Sequence, residues 1–225
     1  MEVNLVAVQA RTELDDYSSA TAFYARMDGL MARTADAVDL SLPTLVAFPE
    51  AIGLYLSFVP PYYELVCGCS SVREALLRII PRNLGRLGRR AVTERAPWLS
   101  SLFLDTALEA EATYSETFSA LARQYGVYLV AGSIYTPPIE EEVSKGRYLL
   151  SSEVYNTSYL FSPRGQCLKR VPKVNLVPPL EDSIGIASGD MAELQPVDTA
   201  LGRVGIAVCW DGFHHRIVEH YDGLG

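Results

Sequence analysis

The first fifty residues constrain the fold more than any other part of the chain, because two short β-branched apolar runs enclose one run of helical periodicity. Val3–Gln9 (VNLVAVQ) and Thr44–Phe48 (TLVAF) predict buried strands. Between them Ala20, Phe23, Met27, Leu30, Met31 and Ala35 recur at three- and four-residue steps behind a polar start at Asp15, Asp16, Ser18 and Ser19, which predicts an amphipathic helix. Strand, helix and strand form a βαβ unit, whose crossover lays the helix on one face of a sheet.

The alternation resumes downstream. A helix is predicted over about Leu104–Tyr125, closed by Gly126, and then a strand over Val127–Ser133 (VYLVAGS). Val154–Phe161 (VYNTSYLF) and Cys167–Arg170 flank Ser162-Pro163-Arg164-Gly165, a chain-reversing turn, and predict an antiparallel hairpin. A last strand is predicted over Val204–Val208, ending at Cys209, with Trp210-Asp211-Gly212 leading into a helix from about His215. No internal repeat interrupts this plan, and residues 1–225 are expected to form one α/β domain.

Composition narrows the function classes. The chain is 49% hydrophobic, enough for a sizeable core, and its formal net charge of −8 repels phosphate backbones, so no nucleic-acid partner is expected. The N-terminus lacks the pattern of a secretory signal, and no apolar run approaches the roughly 18 to 20 residues of a membrane span, so no membrane partner is expected either. Cys67, Cys69, Cys167 and Cys209 are too sparse for a disulfide framework and suit a reducing, cytoplasmic setting.

Residues 60–100 stand apart as a helical, basic insertion. Between positions 73 and 95, Arg73, Arg78, Arg82, Arg86, Arg89, Arg90 and Arg95 oppose only Glu74 and Glu94, seven positive charges against two negative, for a net +5. Pro81 argues for two short helices rather than one continuous basic stripe. A solvated face, or one opposing an acidic surface, is the plain reading; a phosphate- or carboxylate-bearing substrate is the sharper one.

Three predicted strands end in a reactive side chain: Phe48-Pro49-Glu50, Pro172-Lys173 and Cys209-Trp210-Asp211. Functional groups of open α/β sheets gather where strands end. Taken singly each has an ordinary explanation: a cap, a solvent-facing lysine, a small buried thiol. Taken together, in the order VAVQ, LVAFPE, YGVYLVAGS, YNTSYLFSPRG, lysine, downstream glutamate and GRVGIAVCWD, they resemble the nitrilase, or carbon–nitrogen hydrolase, superfamily along almost the whole chain.

The resemblance implies a Glu–Lys–Cys triad at Glu50, Lys173 and Cys209, with no metal or organic cofactor. A free thiol of pKa about 8.5 is only about 3% thiolate at pH 7, so a thiol hydrolase needs a base or a field that favours the anion. Glu50 can be the base and Lys173 the stabilising ammonium, with the backbone N–H of Trp210 completing an oxyanion site. Glu181, eight residues past Lys173, matches a supporting glutamate of similar enzymes. Tyr55 is a candidate for lining the substrate pocket, as aromatics of the corresponding loop do in relatives, or for packing in the core. Many relatives carry a histidine where this chain has Asn175, which puts the local pocket lining in question.

His214, His215 and His220 offer a rival Cys–His or metal arrangement, but their spacing resembles no metal motif, and Cys67-Gly68-Cys69 lacks a second cysteine pair. The resemblance further implies a four-layer αββα sandwich, homo-oligomeric assembly, and a small amide or nitrile substrate attacked to give a thioester. Sixteen residues follow Cys209 where relatives continue with further strands and helices, so the domain is expected to be incomplete at its C-terminus and, at this length, poorly soluble or dependent on another segment. Acyl transfer to an amine and a noncatalytic binding scaffold are the alternatives; the lack of a membrane segment argues against the lipoprotein-modifying branch.

Overall fold

The computed structural model describes residues 2–58, 62–85, 88, 98–142, 147–178 and 180–224. The N-terminal βαβ unit forms as predicted. Strand β1 (Asn4–Ala7) pairs in parallel with β2 (Thr44–Ala47), joined through helix α1 (Ala20–Ala37). Ser19 caps α1, its hydroxyl accepting from the Ala22 N–H, and Phe23, Met27, Leu30 and Met31 form the buried stripe. Helices α2 (Tyr63–Val66) and α3 (Val72–Arg82) follow, and the long α4 (Trp98–Tyr125) lies further on.

In the basic segment, α3 carries Pro81 in its last turn and stops at Arg82, consistent with a proline that cannot donate back to the preceding turn. Ala75 and Ile79 pack with Tyr62, Val66 and Leu102, while Arg78 pairs with Glu74 at 2.6 Å on the helix surface. Arg86, Arg89, Arg90, Glu94 and Arg95 lie outside the described residues.

Gly126, at φ 65°, closes α4 and feeds β3 (Tyr128–Val130), β4 (Ile134–Thr136) and the hairpin strands β5 (Ile139–Glu142) and β6 (Arg147–Leu150). The spine of the main sheet is β7 (Val154–Phe161). It pairs along one side first with β3 and then with β4, and along the other with β8 (Cys167–Pro172) and, past α5 (Leu180–Ser183), with β9 (Ile186–Ala187). The resulting seven-stranded sheet is mixed, parallel across β1, β2 and β3 and between β7 and β9, and antiparallel where β7 meets β3, β4 and β8.

Alternation along the strands separates two cores. Val46, Phe48, Leu129, Tyr159 and Phe161 meet α1 and α4 through Phe23, Tyr114 and Phe118, an edge-to-face aromatic stack with centroids about 5 to 6 Å apart. Leu45, Val130, Leu160 and Val171 face the opposite way. They are covered by the two-stranded hairpin of β10 (Val197–Thr199) and β11 (Gly202–Val204) and by helix α6 (His215–Gly223), through Val197, Ile206, Val208 and Ile217. Helices, sheet, hairpin and helix thus follow one another as α, β, β and α layers.

The last predicted strand needs correction. Ladder pairing ends at Val204, and 205–208 run on without a strand partner among the described residues. The Tyr221 hydroxyl takes the place of a neighbouring strand at Ile206, accepting from its N–H at 3.2 Å and donating to its carbonyl at 2.8 Å. The tyrosine ring also lies where a side chain on Gly205 would point.

Candidate active site

The register of three strands assembles the site's charged half. Tyr135 on β4 lies opposite Asn156 on β7, and on the other side the Lys173 N–H, just past β8, donates to the Asn156 carbonyl at 2.8 Å. Residues directly opposite on paired strands share a face, so one row presents tyrosine, asparagine and lysine. Glu50 enters from the end of β2. Glu181 comes from α5, the short helix between β8 and β9, its N–H held by the Val177 carbonyl at 3.0 Å.

Lys173 Nζ donates to Glu50 Oε1 at 2.8 Å and to Glu181 Oε2 at 2.7 Å, with its side chain 1% exposed. Burial alone pulls an ammonium down, but hydrogen bonds and charge from both carboxylates outweigh it and hold Lys173 above the ordinary lysine value. Burial likewise raises Glu181. The bonds it accepts from Lys173, the Val177 N–H and Asn156 win, and its carboxyl sits below the ordinary range. Tyr135 is raised, first by burial and then by the carboxylates of Glu181 and Glu50, and its neutral hydroxyl donates to Glu181 Oε1 at 3.2 Å.

Cys209 sits apart from this buried row, at the start of the 3-10 turn Cys209–Phe213, exposed and at φ 46°. A non-glycine residue in the left-handed region stores about 1 to 2 kcal/mol of strain, and such strain collects at functional turns. Partial burial of the sulfur, followed by the neighbouring Glu50 carboxylate, pushes the thiol up to about 11, against the smaller opposing pull of Lys173 and the Trp210 N–H. Lys173 therefore does not furnish a preformed thiolate, since two carboxylates already share its charge. The arrangement suits proton transfer from Cys209 to Glu50 as a bond to sulfur forms.

Two features that sequence reasoning passed over hold these halves together. Asp211, fully buried, accepts from the Asn175 N–H at 2.6 Å, the Asn175 side-chain amide at 2.8 Å and the Val174 N–H at 3.2 Å, latching the cysteine turn to the backbone just past Lys173. Asn175, the departure from the histidine of many relatives, is thereby accounted for: its amide donates to Asp211 and its oxygen accepts from Arg216. The second feature lies at the β3–β4 break. Gly132, at φ 73°, lies so close to the Glu50 loop that a Cβ would stand 2.1 Å from the Pro49 carbonyl oxygen. Next to it, Ser133 Oγ accepts from the N–H of Ala51, which is itself at φ 59°. The signals were present as Ala-Gly-Ser after a strand and as the aspartate two past the cysteine.

Glu50, Lys173, Glu181 and Cys209 are thus brought together, with the Trp210 N–H beside the sulfur. The Trp210 ring packs against Phe213, centroids 5.3 Å apart, and is partly exposed. Tyr55 is placed elsewhere. Its ring meets Tyr17 edge-on and lines a cavity of about 230 Å3 with Leu14, Val66 and Cys69, a cavity to which none of the triad residues contributes. The position follows from the 3-10 helix Leu54–Phe58, which turns Tyr55 between two apolar clusters. The three histidines diverge: His214 lies against Trp210, exposed His215 faces Glu219, and His220 Nε2 meets the Leu194 carbonyl at 2.8 Å. Among the described residues no group of three His, Cys, Asp or Glu side chains is arranged to hold a metal ion, and no helix is long and apolar enough to cross a membrane.

Comparison with known proteins places this geometry. The chain is 28% identical over 168 residues to the omega-amidase NIT2 of Homo sapiens, covering 70% of this chain and 52% of that protein. It is 29% identical over 129 residues to an apolipoprotein N-acyltransferase of Geobacter metallireducens, covering 51% of this chain and 23% of that protein. The crystal structure of a carbon-nitrogen hydrolase from Helicobacter pylori superposes with a TM-score of 0.53 at 16% identity, over 97% of this chain and 55% of that one. The chain therefore spans about half the length of NIT2 and of the Helicobacter pylori protein. The structural likeness, with the layer order above, gives the fold as the αββα sandwich of the nitrilase type. The family profile described as carbon-nitrogen hydrolase matches residues 7–219, and the chain belongs to that family.

Proposed function

We propose that the protein hydrolyses a carbon–nitrogen bond of a small amide, or of a nitrile, through a thioester on Cys209. The observation that carries this reading is the convergence of Glu50 on both the Lys173 ammonium and the Cys209 thiol. Glu50 takes the thiol proton as sulfur attacks the carbonyl carbon, and the developing oxyanion meets Lys173 and the Trp210 N–H. The carbon–nitrogen bond then breaks, and the amine leaves with the proton held on Glu50. Glu50 next takes a proton from water, whose oxygen attacks the thioester and releases the acid and the free thiol. Glu181 stays an anion on Lys173 throughout, while Glu50 takes up and gives back the proton.

A second reading, transfer of the acyl group to an amine instead of water, is favoured by the likeness to an N-acyltransferase. The two share every step up to the thioester. Incubation with a panel of amides and nitriles, with and without added amines, separates them: ammonia or amine release with free acid supports hydrolysis, and a new amide in place of the acid supports transfer. Ligand binding with neither product and no adduct on Cys209 overturns both in favour of a noncatalytic scaffold. A cytoplasmic setting belongs to the proposal and is supported by four cysteines that are all free. Homo-oligomeric assembly also belongs to it, resting on the family likeness.

A further inference from the structure

Asn156 has no part in the triad, yet it is fully buried at the centre of the site. Its side-chain amide donates to Glu50 Oε1 at 2.8 Å and to Glu181 Oε1 at 2.9 Å, and lies 3.4 Å from the Tyr135 hydroxyl. Two carboxylates are thus bridged twice, once by the Lys173 ammonium and once by this neutral amide. The orientation of the amide is fixed by its neighbours, because an oxygen turned toward two carboxylates would meet only acceptors. The cost of that orientation is visible: Asn156 Oδ1 is buried and has no hydrogen-bond partner among the described residues.

The bridge is unequal. Glu181 accepts from Lys173, the Val177 N–H, Asn156 and Tyr135, spread over both its oxygens. Among the described residues, the hydrogen bonds that Lys173 and Asn156 give to Glu50 both fall on Oε1. One ammonium balances only one of the two carboxylates, and Glu181, buried and held by more donors, is the better-held anion.

We infer that Asn156 is a positioning residue that assigns the two carboxylates their separate roles, anchoring Glu50 by Oε1 so that Oε2 is left for the Cys209 proton while Glu181 stays a fixed anion. This rests on the reading of Cys209 as nucleophile and Glu50 as its base. The charged and titratable groups that face Asn156 are Glu50 from the β2 end, Tyr135 from β4, Lys173 past β8 and Glu181 from α5, with Cys209 beyond Glu50.

The test needs no substrate. Alkylation of Cys209 by iodoacetamide, followed by peptide mass analysis to separate it from the other three cysteines, gives a rate that falls on the acid side as the Glu50–Cys209 pair takes up its second proton. In Asn156→Leu that acid limb moves to higher pH by about one unit, because the carboxylate loses a donor. In Asn156→Asp it moves further, because a donor is replaced by a third acid. Should the leucine variant fail to fold, the aspartate variant, of the same shape and size, carries the test. An acid limb that stays at the wild-type position in either folded variant overturns the inference. A shifted limb in a protein that turns over no amide leaves the role of Asn156 standing and removes the hydrolase reading instead.

Discussion

The two halves of the site are built on opposite principles. Glu50, Lys173, Asn156 and Tyr135, at the ends and centre of sheet strands, and Glu181, on the short helix α5, are braced by one another, with the Lys173 and Glu181 side chains almost wholly buried. Cys209 is exposed, backbone-strained and borne on a single turn that Asp211 ties down. Charge must be held where its desolvation is repaid by several hydrogen bonds, whereas a nucleophile must be reachable and able to change its bonding. Stability and reactivity are therefore expected to separate cleanly between the halves, and substitution on each side tests that separation.

The largest effect belongs to the exposed half and is purely chemical. Cys209→Ala is expected to reduce amide turnover by at least about 10^4-fold while leaving the unfolding midpoint close to wild type, as ammonia release and denaturant titration will show. A large loss of stability in this variant would mean that the turn, and not only the row beneath it, supports the fold. The mirror experiment is Lys173→Met. It leaves Glu50 and Glu181 facing each other without their shared cation, and removing one partner of a buried ion pair costs about 3 to 5 kcal/mol. Denaturant unfolding is expected to show that loss alongside lost turnover, so that stability and activity fall together in the braced half and apart in the exposed one.

Asp211 joins the halves, and its removal is expected to be intermediate. Asp211→Asn replaces an acceptor of two backbone N–H groups and an amide with a side chain that has one acceptor oxygen. A stability loss of about 1 to 3 kcal/mol is expected, with turnover falling more than substrate affinity because the cysteine turn drifts relative to Lys173.

How far all this was legible in the sequence divides along the same line. The strand, helix and hairpin pattern was readable because each element carries its own periodicity, as in α1 with Phe23, Met27, Leu30 and Met31. Glu50, Lys173 and Cys209 were singled out because each follows a predicted strand end and because the ordered motifs around them resemble the nitrilase superfamily. What local pattern cannot give is register across strands. The meeting of Asn156 with Tyr135 and Lys173 depends on which residues of β4, β7 and β8 lie opposite one another. For the same reason Asp211 read as a turn residue, and Tyr55 read equally well as a pocket residue or as core packing, a choice that its contact with Tyr17 only frames in three dimensions. The strand expected at Val204–Val208 misled because an extended apolar run specifies conformation but not a partner.

The braced half also predicts a pH window. Glu181 is held below the ordinary carboxylate value of 4.5, so its contribution to stability is complete above that value and is lost as pH falls through the lower folded value. Lys173 is held above 10.5, so its contribution is complete below that value and is lost as pH rises through the higher folded value. Thermal unfolding across pH is expected to show a plateau between these limits. In Glu181→Gln the acid-side decline should become shallower, and an unchanged decline would place its origin outside the site.

The smallest expected effect concerns the strain at Cys209, and it separates geometry from chemistry. Any side chain at φ 46° carries the steric cost of the left-handed region, which glycine does not. Against the Cys209→Ala background, Cys209→Gly is therefore expected to raise stability by about 1 kcal/mol, after the extra chain entropy that glycine loses on folding is set against the relieved strain. Both variants lack the thiol, so the difference between their unfolding midpoints reads the backbone alone. A glycine variant no more stable than the alanine one would show that the turn relaxes once sulfur no longer faces Glu50, and that the strain is imposed by the braced half through that contact.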